Sequence, residues 1–137
     1  IISYLGYPAN YGMIPRTLLP KENGGDGDPL DVVVIGPAEP RGSIVDCKII
    51  GVLHLIDDFE QDDKLIAISS RSNLENINSI DDLDNNYIGI SKILEIWFTN
   101  YKKGVNRKSK GFGNSSNALN ILADSRNYYS NAQSLSQ

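Results

Sequence analysis

Gly24-Gly25-Asp26-Gly27-Asp28-Pro29-Leu30-Asp31-Val32-Val33-Val34-Ile35-Gly36 carries both the fold and the chemistry of this chain. Its second half is β-branched and nearly continuous, which predicts a buried strand over residues 31–36. Just ahead of that strand, three aspartates fall within six residues on a glycine-rich loop. Crowded carboxylates repel one another and raise each other's pKa unless positive charge sits among them. A hard divalent cation meets that need, and an oxygen-only ligand set selects Mg²⁺, Mn²⁺ or Ca²⁺. A solvated turn would account for a lone D-G-D, but the longer run D-G-D-P-L-D-V-V-V is more specific. An EF-hand does not fit. Counted from Asp26, its fifth, sixth and twelfth positions are Leu30, Asp31 and Pro37, where that loop needs a ligand, a glycine and a glutamate.

Outward from this loop, residues 1–31 are punctuated by Gly and Pro and read as short extended pieces joined by turns. Residues 37–42 are a turn. Residues 43–56 form the longest apolar stretch, with Gly51 inside it, and predict a long strand with a bend or bulge. An acidic loop, Asp57-Asp58-Phe59-Glu60-Gln61-Asp62-Asp63, precedes a short strand over 64–68. If the two strands are neighbours, this loop and the aspartates of 26–31 share one rim. Ser79 with Asp82 three residues on marks a capped helical turn. Ile90, Ile93, Leu94, Trp97 and Tyr101 recur at helical spacing and predict an amphipathic helix over 88–102. Residues 103–114 read as a Lys/Arg/Gly-rich loop. A last helix starts at Ser115 or Ser116 and runs towards Tyr129, and 130–137 read as a frayed Ser/Asn/Gln-rich tail. Strands followed by helices give a mainly β, α+β layout: a small closed or partly open OB-like barrel with two or three flanking helices.

The chain has 137 residues, with 13 basic against 17 acidic side chains, a net charge of −4 and a pI of 4.9. That is one domain's worth of chain, and there is no basic surplus of the kind a nucleic-acid binder shows. No apolar run approaches the roughly 20 residues that span a bilayer, so no membrane partner is expected. The one cysteine, Cys47, cannot form an internal disulfide, which points to a reducing, cytoplasmic setting and to burial in its apolar strand. One His and one Cys make a zinc site a poor fit.

Asp26-Gly27-Asp28-Pro29-Leu30-Asp31-Val32 resembles the signature of the soluble, Mg-dependent inorganic pyrophosphatases. Three further stretches, in the same order along the chain, resemble that family: Tyr7-Pro8-Ala9-Asn10-Tyr11-Gly12-Met13-Ile14-Pro15; Gly51-Val52-Leu53 followed by Asp57, Asp62, Lys64 and Leu65; and Trp97-Phe98-Thr99-Asn100-Tyr101-Lys102. The resemblance implies hydrolysis of pyrophosphate to two orthophosphates. By position it implies Asp26, Asp31, Asp57 and Asp62 as Mg²⁺ ligands, with Mn²⁺ a possible substitute, and Asp28 as the group that takes the proton of the attacking water. It implies Tyr11, Lys64, Tyr101 and Lys102 as phosphate-site residues, and a homo-oligomer, a hexamer in bacterial members. Elementary chemistry agrees, because a small, highly charged substrate must be handled by positioning and charge neutralisation. Lys64 lies two residues after Asp62, so on a strand both face one side. Lys102 closes a helix, where the dipole favours a cation.

Plainer roles compete at several positions. Tyr11 suits packing as well, and Tyr101 continues the apolar stripe of its helix. Trp97 reads as core, and His54 as a strand residue with an ordinary partner. Lys102, Lys103, Arg107, Lys108 and Lys110 read as a surface cluster. The family also carries strands, a glutamate, a lysine and an arginine upstream of Y-P-x-N-Y-G. The expectation is therefore a single pyrophosphatase-like domain over 1–137, N-terminally incomplete. The alternative is a pyrophosphatase-like metal- and phosphate-binding protein with weak or no turnover. A third reading, an interaction module that keeps the barrel for assembly, is opposed by the intact aspartates and Lys64.

Overall fold

A computed structural model describes residues 9–21, 24–25, 27–101 and 106–135. Six strands and three helices follow in the order β1 (Asn10–Met13), β2 (Asp31–Ile35), β3 (Cys47–Asp57), β4 (Glu60–Gln61), β5 (Lys64–Ser69), α1 (Ile80–Asn86), α2 (Ile90–Asn100), β6 (Arg107–Gly113) and α3 (Ser115–Leu135). The strands make one mixed sheet in the order β1-β2-β5-β3, with only β2 and β5 parallel. The far edge of β3 carries β6, and β4 follows β5 along the other edge. The sheet does not close among the described residues, so the partly open form of the expected barrel is the one found.

Period-two alternation sorts the strands onto two faces. Val33, Ile35, Leu53, Leu55, Ile66 and Ile68 pack with Leu83 of α1 and with Leu94 and Phe98 of α2. Val32, Val34, Val52, Leu65 and Ala67 face Ala118, Ile121 and Leu122 of α3. Gly51 sits at the bulge in β3, where an added Cβ would come within 2.6 Å of Ile80 and 2.9 Å of the Gly113 carbonyl. The predicted bend is therefore also the point of closest approach of α1 and β6. Trp97 is half-buried against the first core, while Ile93 of the same helix is largely exposed.

The helix starts agree with the sequence. Ser79 caps α1, its Oγ accepting from the Asp82 amide at 3.0 Å. Asn114 and Asn117 cap α3 reciprocally, each side chain accepting from the other's amide at 2.9 and 3.0 Å. Four expectations need correction. The long strand begins at Cys47, four residues later than expected. There, at the strand's open end, Cys47 is exposed. The stretch read as a loop over 103–114 contains β6, whose charged side chains alternate around the sheet edge and leave Phe112 as its only large apolar residue. Helix α3 continues past Ser130 to Leu135.

Candidate active site

Strand register assembles the charged cluster. Asp31 at the start of β2 lies beside Lys64 at the start of β5, and Asp57 at the end of β3 lies beside Arg107 at the start of β6. Asp31 and Lys64 share a face with Val33, Ile35, Ile66 and Ile68, so they sit at one end of the core that α2 covers. Asp57, two residues beyond Leu55, reaches the same end.

Lys64 Nζ donates to Asp31 Oδ2 at 2.6 Å and to Asp62 Oδ1 and Oδ2 at 3.0 and 3.1 Å. Arg107 Nη2 donates to Asp57 Oδ2 at 2.9 Å and to Asp62 Oδ2 at 3.1 Å. Asp62 thus joins two cations, and the chain of contacts runs Asp31–Lys64–Asp62–Arg107–Asp57. Both cationic side chains are only 2% exposed, and Asp62 is 8% exposed. Burying two full charges is costly unless each is paired and hydrogen-bonded. Here three carboxylates face two cations, so the set retains one formal negative charge. Burial pulls the Lys64 ammonium towards losing its proton. Asp31, Asp62 and then Tyr11 outweigh that and hold it protonated, above its ordinary range.

Aromatic rings form the wall. Lys64 Nζ lies 5.3 Å from the centre of the Tyr11 ring, which packs on Phe98 at 5.4 Å. The Arg107 guanidinium lies 4.9 Å from the centre of the Tyr101 ring, and Tyr101 stacks on Trp97 at 4.5 Å. Each tyrosine therefore has an apolar contact and a cation–π contact at once, both of which the sequence left open. Burial, first, and then Asp31 push the Tyr11 phenol above its usual range, against the pull of Lys64.

Among the predicted site residues, the structure brings together Tyr11, Asp31, Asp57, Asp62, Lys64 and Tyr101. Asp26 and Lys102 lie outside the described residues. Asp28 is exposed on the loop entering β2, and its carbonyl accepts from the Leu19 amide at 3.0 Å. Arg107 was grouped with the surface lysines, and the structure corrects that: it is the second buried cation of the site. The alternation R-K-S-K is the signal that could have found it. On a strand, Arg107 and Ser109 share the inner face, and Ser109 Oγ does meet Glu95 of α2 at 2.6 Å. His54 has its ordinary partner, Asp63, at 3.0 Å.

The donor set suits a hard divalent ion, since Asp31, Asp57 and Asp62 offer only oxygen ligands. Those oxygens already hold an ammonium and a guanidinium. Among the described residues, no three acidic, His or Cys side chains stand ready as a metal cage.

The described residues thus form a partly open mixed sheet with helices on both faces, ending in a rim of carboxylates, buried cations and tyrosines. The sequence matches the inorganic pyrophosphatase family over residues 1–130, and the chain belongs to that family. It is 35% identical over 127 residues to an inorganic pyrophosphatase of Xanthomonas campestris, covering 90% of this chain and 68% of that protein. It is 38% identical over 111 residues to inorganic pyrophosphatase 1 of Caenorhabditis elegans, covering 74% of this chain but only 26% of the relative. The solved inorganic pyrophosphatase of Helicobacter pylori superposes with a TM-score of 0.78 at 32% identity, over 90% of this chain and 72% of that one.

Proposed function

We infer that this chain hydrolyses inorganic pyrophosphate to two orthophosphates at the rim defined by Asp31, Asp57, Asp62 and Lys64. The observation that carries the reading is the cluster itself: Asp31 and Asp62 meet the buried Lys64, Asp57 and Asp62 meet the buried Arg107, and Tyr11 and Tyr101 lie against the two cations. Asp31, Asp57 and Asp62, with Asp26, would hold Mg²⁺, or Mn²⁺ in its place. The bound ions would neutralise phosphate oxygens and acidify the attacking water. Asp28, exposed on the loop entering β2, would take that water's proton. Lys64, fixed between Asp31 and Asp62, presents a permanent positive charge at the site, and Tyr11, Tyr101 and Lys102 would contact phosphate oxygens. Lys64 and Tyr11 are held in place by their contacts with Asp31, Asp62 and Phe98, which limits the reorganisation they need in the transition state.

The free, exposed Cys47 suits a reducing compartment such as the cytoplasm. Among the described residues, no helix is long and apolar enough to cross a membrane. Tyr87, Ile88, Ile93 and Ile96 are exposed apolar residues on and between α1 and α2, which supports self-association into a homo-oligomer. One observation favours a second reading, a metal- and phosphate-binding protein of weak turnover: the carboxylates are already partnered by internal cations.

Phosphate release from Mg²⁺-pyrophosphate separates the two. Turnover that EDTA abolishes supports the hydrolase, and Asp28→Asn should then lose turnover while calorimetry still detects Mg²⁺ binding. Metal binding without phosphate release above background would leave the second reading.

A further inference from the structure

Arg107 is the least expected feature of the site. Its Nη2 bridges Asp57 Oδ2 and Asp62 Oδ2 at 2.9 and 3.1 Å, and its Nη1 donates to the Phe98 carbonyl at 3.2 Å. The guanidinium carbon lies over the Tyr101 ring, 4.9 Å from its centre. Yet its Nε is buried and meets no acceptor among the described residues. A buried donor left without a partner costs free energy, so this guanidinium sits in an imperfectly satisfied position. It bridges two carboxylates that an oxygen-seeking ion would also need.

We propose that Arg107 and a divalent cation are mutually exclusive occupants of the Asp57–Asp62 pair. The arginine is then a built-in counter-ion: it keeps the metal-free site folded, holds its net charge to a single negative unit and weakens metal binding there. The inference rests on reading Asp57 and Asp62 as metal ligands. Displacing Arg107 exchanges one positive charge for two between the same oxygens, at the cost of the contacts to Phe98 and Tyr101. Removing it should leave Asp57 without its counter-ion and Asp62 with Lys64 alone, a site of higher affinity for the metal.

The test is Mg²⁺ calorimetry on the full chain, comparing wild type with Arg107→Gln, Asp57→Asn and the double variant. Arg107→Gln should bind Mg²⁺ about tenfold tighter or more, and adding Asp57→Asn should remove the gain. A second readout needs no variant. In wild type labelled with ¹⁵N-arginine, the sheltered Arg107 Nε–H resonance should shift and begin exchanging with solvent as Mg²⁺ saturates. Unchanged or weaker binding in Arg107→Gln, or an Arg107 resonance unmoved at saturation, overturns the proposal. If Arg107→Gln fails to fold, the resonance decides alone. If Asp57→Asn weakens Mg²⁺ binding and Arg107→Gln does not strengthen it, only the competition fails. If Asp57→Asn leaves binding unchanged, the metal-ligand reading fails with it.

Discussion

Lys64 holds a full positive charge at the end of a hydrophobic core, and Asp31 and Asp62 make that tolerable. Removing the ammonium leaves Asp31 without its counter-ion and the buried Asp62 with Arg107 alone. Lys64→Ala should therefore cost about 3–5 kcal/mol, read from urea unfolding in EDTA, and Mg²⁺ should restore part of the loss. A variant as stable as wild type would mean that water already reaches the cluster. Lys64 and Tyr11 also set an alkaline limit. Both hold their protons more tightly in the fold than in the unfolded chain. Their contribution is complete below the ordinary tyrosine value of 10.0 and is lost as pH rises beyond it. The urea midpoint in EDTA should hold up to about pH 10 and fall as pH rises further, and a flat or rising midpoint above that pH would contradict the pairing. Asp62 and Lys64 came from the family resemblance, with their two-residue spacing in agreement, while Asp31 was legible from carboxylate crowding, a local signal. Arg107 was not, because its partners Asp57 and Asp62 lie at least 45 residues away.

The element that sets Asp57 and Asp62 in place is the tight β3–β4 hairpin. Its two turn residues, Asp58 and Phe59, both have positive φ, 48° and 72°. That conformation is costly for a side chain such as Phe, which here is 92% exposed. The turn is pinned to the start of β6: the Asp58 amide donates to the Asn106 carbonyl at 3.1 Å, and the Asn106 amide donates to Asp58 Oδ1 at 3.3 Å. Replacing Phe59 with Gly relieves the strain without removing a core contact. It should stabilise the chain by about 0.5–1 kcal/mol in urea unfolding. Destabilisation would show that the exposed ring has a partner. The β-branched run of β2, the bend at Gly51 and the Ser79 cap were readable because each is encoded within a few residues. Strand β6 was missed because its order comes from pairing with β3, while its own sequence is mostly charged and glycine-rich.

Across the whole molecule, two helix-covered faces hold the sheet still while its rim gathers opposite charges from β2, β3, β5 and β6. Helix α2 bears on the rim from one side: Phe98 takes a hydrogen bond from Arg107 through its carbonyl and packs on Tyr11 with its ring. Site rigidity and core packing are thereby the same contacts, which suits a reaction that depends on fixed charges. The architecture shared with the solved pyrophosphatase of Helicobacter pylori reaches 90% of this chain. The most direct test of the account is steady-state phosphate release from Mg²⁺-pyrophosphate by wild type and by Asp31→Asn, with circular dichroism confirming that both are folded. The account predicts measurable wild-type turnover and a loss of about 100-fold or more in Asp31→Asn. Equal rates in the two proteins would contradict it.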